Sequence, residues 1–240
     1  MVIEGRGADV PSPESRTNRL DQVYSGPVVT TTIDTPGRSL QLVRPGDPDR
    51  LLDEPSVLAW NRRDDYMPYW AYLWPGAFLL SEVVARREWI PGTRALEIGC
   101  GLGLAGLTGL SRGLRVTFSD YDEAPLEFVK ESALANGFDA SGYSTVRLDW
   151  REPFGERFEV ILGADVLYER RLVPLVAGLL ALMLAPGGVA LIADPYRAAA
   201  EGFGACVRKL GLTCEAEAVS ARSVELGTVR GTMHTLGRRA

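Results

Sequence analysis

Lysine is nearly missing from this chain of 240 residues, with only Lys130 and Lys209 among its 26 basic residues. The accompanying wealth of alanine, glycine and proline points to codon usage as the reason, so no function is drawn from it. Histidine occurs once, at His234. That rules out a histidine-rich metal site and leaves one imidazole as general base; on an expected edge strand near the C-terminus, it reads as structural. Cysteine is scarce and odd in number (Cys100, Cys206 and Cys214), with no Cys-x-x-Cys pair. This excludes a disulfide framework and a zinc site, leaves no metal-ligand set, and fits a reducing, cytoplasmic setting. No apolar run reaches the ~18 residues needed to span a membrane. The net charge of -5 lacks the basic excess of a nucleic-acid-binding face. Residues 1–20 carry Glu4, Asp9 and Glu14 among the arginines without an apolar core, unlike a secretion signal or a typical transit peptide.

What is present is ordinary for a globular protein: 46% hydrophobic and 24% charged residues. Residues 1–22, polar and proline-containing, are expected to be a disordered tail. An extension over residues 23–65 is expected to hold a β-hairpin (Val28 to Ile33 and Leu40 to Val43 around Asp34-Thr35-Pro36-Gly37) and a helix from Asp49 to Arg62. Residues 66–240 form the main domain. There Pro75 to Arg87 reads as a helix with proline in its first turn. Strands are expected at 94–98, 116–120, 143–148, 158–164 and 189–193, alternating with helices at 104–111, 122–136, 172–184 and 198–210. Two further strands, 213–219 and 228–236, follow without an intervening helix. Such alternation means an α/β fold: a mostly parallel sheet, helices on both faces, and one antiparallel strand near the C-terminus.

The most informative stretch is Leu96-Glu97-Ile98-Gly99-Cys100-Gly101-Leu102-Gly103, an acid at a strand end followed by a glycine turn. Gly99, Gly101 and Gly103 let the backbone take dihedrals closed to side chains and approach a ligand closely. Asp120 ends the next strand, where a carboxylate accepts both hydroxyls of a ribose. A dinucleotide turn needs a third glycine three residues after the second, to place a pyrophosphate on the helix N-terminus. Position 104 is leucine, and Glu97 would repel a pyrophosphate. A ligand with an ammonium at one end and a ribose at the other suits both acids, and S-adenosylmethionine is such a ligand.

Three further clusters fall at the expected carboxyl edge of the sheet. Asp149 and Trp150 follow the third strand, where the acid can accept the adenine amino group and the indole can cover the ring; a surface acid beside a core tryptophan is the bland alternative. Asp165 and Tyr168 follow the fourth strand and bring a carboxylate and a phenol toward the transferring methyl, although an aspartate there also suits the N-cap of the next helix. Tyr69-Trp70-Ala71-Tyr72-Leu73-Trp74 puts four aromatics in six residues ahead of a helix. One or two of them belong in the core, while Trp74 is placed beside the sulfonium, which aromatic faces attract.

Trp74-Pro75, Glu97-x-Gly-x-Gly-x-Gly103, Asp120, Asp149-Trp150 and Asp165-x-x-Tyr168 together resemble the family 16 seven-β-strand protein methyltransferases, mostly protein-lysine N-methyltransferases. Tyr69-Trp70-Ala71 leading into Trp74-Pro75-Gly76, with Asp194-Pro195-x-Arg197, is similar to the branch that methylates the electron-transfer-flavoprotein β-subunit. The resemblance covers roughly residues 66 to 200. The branch usually has glycine before that arginine, whereas this chain has Tyr196. The resemblance implies a Rossmann-like seven-stranded methyltransferase sheet, S-adenosylmethionine as cofactor and a protein lysine as acceptor. It also implies that Asp165 and Tyr168 hold the amine in line for an S-to-N displacement, with its proton lost to water. A small-molecule amine acceptor and a non-catalytic cofactor-binding module stand as the alternatives.

Overall fold

The fold is described from a computed structural model, which describes residues 19–64, 66–223 and 225–238. The expected tail therefore lies largely outside the described residues. Its described end, residues 19–22, belongs to a helical turn with Leu20 buried.

The extension opens with the expected hairpin, β1 (Val28–Thr35) and β2 (Arg38–Pro45), paired antiparallel around Gly37. Leu40 and Leu42 turn inward, as period-2 alternation requires. The expected helix at 49–62 is instead two pieces, a 3-10 segment Pro48–Asp53 and α1 (Pro55–Asp64). Pro55 divides them, because a residue preceding proline is pushed out of helical dihedrals, and Glu54 is extended.

The remaining elements are α2 (Pro75–Arg86), β3 (Arg94–Ile98), α3 (Leu104–Ser111), β4 (Arg115–Asp120), α4 (Ala124–Ala135), β5 (Tyr143–Arg147), β6 (Phe158–Ala164), α5 (Leu172–Met183), β7 (Leu184–Asp194), α6 (Phe203–Lys209), β8 (Leu212–Ser223) and β9 (Gly227–Arg238). The sheet runs β5-β4-β3-β6-β7-β9-β8, parallel as far as β7, with β9 antiparallel to both its neighbours. Two expectations need correction. The helix anticipated from residue 198 begins only at Phe203, because Gly202 takes a left-handed conformation (φ 85°) and stops the preceding 3-10 turn. His234 is not on an edge strand, since β9 inserts between β7 and β8. Its half-buried ring packs edge-on to Phe203, and desolvation pushes its pKa down.

The hairpin is tied to the sheet domain through α4. Val43 N–H donates to Ser132 Oγ, Gln41 N–H to Asn136 Oδ1, and Asn136 Nδ2 to the Gln41 carbonyl, at 2.6–2.9 Å. These side chains satisfy β2 backbone groups that no strand pairs. Helix α2 buries Phe78, Leu79, Leu80, Val84 and Ala85, and its N-terminus meets Asp165, the residue directly after β6, through Gly76 N–H. That placement positions the site.

Candidate active site

A cleft of about 1010 Å³ opens at the carboxyl edge of the sheet, where an α/β fold binds its ligands. It gathers the expected residues from five separate connections. Trp74, Glu97, Gly99, Gly101, Gly103, Asp120, Asp149, Trp150, Asp165 and Tyr168 all line it.

The turn after β3 has the dihedrals its glycines allow: Gly99, Gly101 and Gly103 all have positive φ, between 50° and 75°. At Gly99 a side chain is excluded twice over, since a Cβ would also stand 2.9 Å from the Trp150 ring. Asp120 braces the turn, with Oδ2 accepting from Gly101 N–H at 2.9 Å and Oδ1 from Asp122 N–H at 3.2 Å. Each carboxylate oxygen retains acceptor capacity toward the cleft. Burial pushes the Asp120 pKa up to about 6.

Glu97 is 2% exposed, with Oε2 accepting from Gly106 N–H at 3.0 Å in the first turn of α3. Burial pushes its pKa up to about 8, and the nearby Asp120 charge adds to the rise. A carboxyl in this state takes either a proton or a cation from the cleft. The buried acid, the three-glycine turn and the second acid fit an ammonium-bearing nucleoside, so the residues present accommodate adenosylmethionine. Beyond the ribose position, Asp149 is held by Arg151, whose Nη2 lies 2.5 Å from Oδ2. Arg147 and Arg151 flank the Tyr121 ring at 5.4 and 5.9 Å. Trp150 is half-buried, so it is not simply a core residue.

Directly after β6, three strands along the sheet from β5, Asp165 takes a left-handed conformation (φ 55°) and is 8% exposed. It does not cap the helix that follows it, which starts at Leu172 with Arg171 at its N-cap. Its Oδ2 instead accepts from Gly76 N–H at 2.5 Å, closing the N-terminus of α2 from across the chain. Gly76 must be glycine, for a Cβ would lie 2.4 Å from that oxygen. Oδ1 receives Nε and Nη2 of Arg197 at 3.0 and 2.7 Å. Burial raises the Asp165 pKa, and Arg197 opposes the rise.

An aromatic wall stands beside this pair. Tyr69 packs edge-on to both Trp74 (5.8 Å) and Tyr168 (5.5 Å). Trp74 Nε1 donates to the Tyr69 carbonyl at 2.7 Å, and its ring faces the Arg197 guanidinium at 5.5 Å. Desolvation pushes the Tyr168 pKa up to about 12, so its phenol is protonated at neutral pH. Trp70 is the core member of the run, packed on Phe128. Sequence reasoning did not place Gly76 or Arg197 in the site. Their signals were a glycine directly after Trp-Pro and an arginine three residues past the end of β7.

A sheet of this order, with a buried acid, a three-glycine turn and a second acid at its carboxyl edge, has the architecture of the S-adenosylmethionine-dependent methyltransferase class. Residues 71–202 match the family described as lysine methyltransferase, methyltransferase family 16, and the chain belongs to it. The histidine protein methyltransferase 1 homolog of Dictyostelium discoideum is 37% identical over 84 residues, which are 33% of this chain and 27% of that protein. EEF1A lysine methyltransferase 3 of Mus musculus is 29% identical over 110 residues, 45% of this chain and 47% of that protein. The chain thus spans less than half the length of these relatives. A TehB-like SAM-dependent methyltransferase from Corynebacterium glutamicum shares the fold at a TM-score of 0.53 and 17% identity, over 79% of this chain and 100% of that one. The [4+2]-cyclase SpnF shares it at 0.52 and 15%, over 67% and 80%. One sheet architecture thus carries different chemistries, so the acceptor must be argued from the site. Among the described residues, no helix is long and apolar enough to cross a membrane.

Proposed function

We propose that this methyltransferase acts on a nitrogen acceptor, a lysine side chain of a protein substrate. The carrying observation is the buried Asp165 carboxylate lining the same cleft as the aromatic wall of Tyr69, Trp74 and Tyr168. A long aliphatic stem ending in a cation is matched by this pairing of aromatic faces with a carboxylate. The family's description and the mouse relative, named for lysine methylation, support the reading.

In this reading Glu97 faces the cofactor ammonium, Asp120 the ribose hydroxyls, and Asp149 with Trp150 the adenine. Trp74 borders the methionine portion and the path of the acceptor. When bound, adenosylmethionine supplies a methyl group on a sulfonium. Asp165 and Tyr168 orient the amine. Tyr168, protonated, donates or accepts a hydrogen bond but does not serve as base. The amine, with a reference pKa of about 10.4, sheds its proton to water before it attacks. Positioning in a water-poor cleft then supplies most of the rate.

A protein histidine is the second reading. Arg197 already neutralises Asp165, which suits an uncharged nitrogen, and the Dictyostelium relative is named for histidine. The test is transfer of tritiated methyl from adenosylmethionine by the full chain into a cell lysate, followed by acid hydrolysis of the labelled band. Methyl-lysine supports the proposal. Methyl-histidine, label confined to small molecules, or no transfer with adenosylhomocysteine still bound would each overturn it.

A further inference from the structure

Arg197 stands where the acceptor's cation belongs. Its guanidinium takes Asp165 Oδ1 through two donors, at 3.0 and 2.7 Å, and faces the Trp74 ring at 5.5 Å. The other oxygen of Asp165 is used by Gly76 N–H. Oδ1, which takes two donors, is therefore already filled by a side chain of the protein, and an acceptor ammonium that binds there must displace Arg197. A lysine ammonium needs the same carboxylate and the same aromatic face.

The guanidinium is held at its head, by Asp165 and the Trp74 ring, and reaches solvent on its other side. The Arg197 side chain is 29% exposed, whereas that of Asp165 is 7% exposed. Its backbone is fixed independently, since Arg197 N–H donates to Asp194 Oδ2 at 2.8 Å. Rotation about the side-chain bonds thus carries the charged head to solvent without unfolding the loop. One buried pair is exchanged for another, so the Asp165 charge is never left uncompensated, the case that costs most.

We propose that Arg197 is a tethered competitor and a specificity-determining residue. It occupies the acceptor's cation position at rest, and only an acceptor that brings both a cation and an aliphatic stem displaces it. This deepens the lysine reading and rests on it.

The probe is n-butylammonium, the end of a lysine side chain, titrated into the full chain with adenosylhomocysteine present. Arginine Nε–H resonances are followed by NMR, and that of Arg197 is assigned by its disappearance in Arg197→Lys. The expected result is movement of this signal toward the free-guanidinium position with n-butylammonium and none with n-butanol. In Arg197→Met, n-butylammonium should bind about tenfold tighter than in the parent protein. If that variant does not fold, Arg197→Lys, with fewer donors to Asp165, should show tightening of a few-fold. A signal that stays put, or that moves equally with n-butanol, overturns the proposal. Methyl-lysine in the lysate assay with an unmoved Arg197 signal would remove the competitor alone. Methyl-histidine there would remove the lysine reading and the competitor with it.

Discussion

Gly76→Ala tests the joint that holds α2 over the cleft. The new Cβ would stand 2.4 Å from Asp165 Oδ2, 2.9 Å from its Cγ and 2.9 Å from its backbone nitrogen. Asp165 has little room to yield. Its other oxygen is gripped by Arg197, and its own N–H donates to the Ala193 carbonyl on β7 at 3.0 Å. Losing the bond from Gly76 N–H to a charged acceptor costs about 1.5–3 kcal/mol, and forcing an extra methyl into a packed site costs about 1–3 kcal/mol. The better helix propensity of alanine returns at most about 1 kcal/mol. The expected net loss is about 1.5–5 kcal/mol, read as a lower urea midpoint with an unchanged m-value. Gly178→Ala in α5 is the control: nothing lies within 4 Å of its Cβ, so propensity alone acts and stability should rise by up to ~1 kcal/mol. Adenosylhomocysteine affinity should stay within a few-fold in both variants, because Gly76 touches neither the glycine turn nor Asp120. If Gly76→Ala proved as harmless as Gly178→Ala, Asp165 would not be closing this helix.

Three further outcomes are expected. Asp120→Ala should weaken adenosylhomocysteine binding by roughly 1.5–3 kcal/mol in calorimetry, through loss of charge-assisted bonds to the ribose, while the parent protein binds no NAD; tight NAD binding would refute the cofactor assignment. Glu97, raised to about 8 in the fold from an ordinary 4.5, makes the folded apo protein the better proton binder, so stability falls as pH rises from near 4.5 toward 8. Glu97→Gln should flatten that fall. An ammonium beside Glu97 should also release a proton on cofactor binding at pH 7, visible as a buffer-dependent enthalpy absent in Glu97→Gln; an enthalpy independent of buffer would place the ammonium elsewhere. Trp74→Ala should reduce methyl transfer far more than melting temperature, since Trp74 is only half-buried, whereas Trp70→Ala should cost about 3–5 kcal/mol of stability; the reverse pattern would make Trp74 the packing residue.

What the sequence made legible follows from how this fold is built. In a parallel sheet every strand ends at the same edge, so acids placed at strand ends converge without any knowledge of side-chain contacts. That rule, together with the glycine turn after Glu97, brought Glu97, Asp120, Asp149 and Asp165 to one cleft, and all four line it. The rule failed where geometry depends on distant partners or on a single backbone angle. Asp165 meets Gly76 across 89 residues and Arg197 across 32, and no local period encodes either meeting. Gly202 sits inside an apparent helix of alanines, and only its φ of 85° shows that it ends one turn and begins the next element. Tyr196 shows both sides of the problem. In sequence it departs from the glycine usual in the resembling branch, yet its φ is 59°, the left-handed conformation that glycine adopts freely. The backbone is thus glycine-like, at a cost of about 1–2 kcal/mol for a residue with a Cβ. The loop still delivers Arg197 N–H to Asp194 and its guanidinium to Asp165. The departure adds a 60% exposed tyrosine ring at the surface, while the turn that carries Arg197 keeps the backbone conformation a glycine would give it.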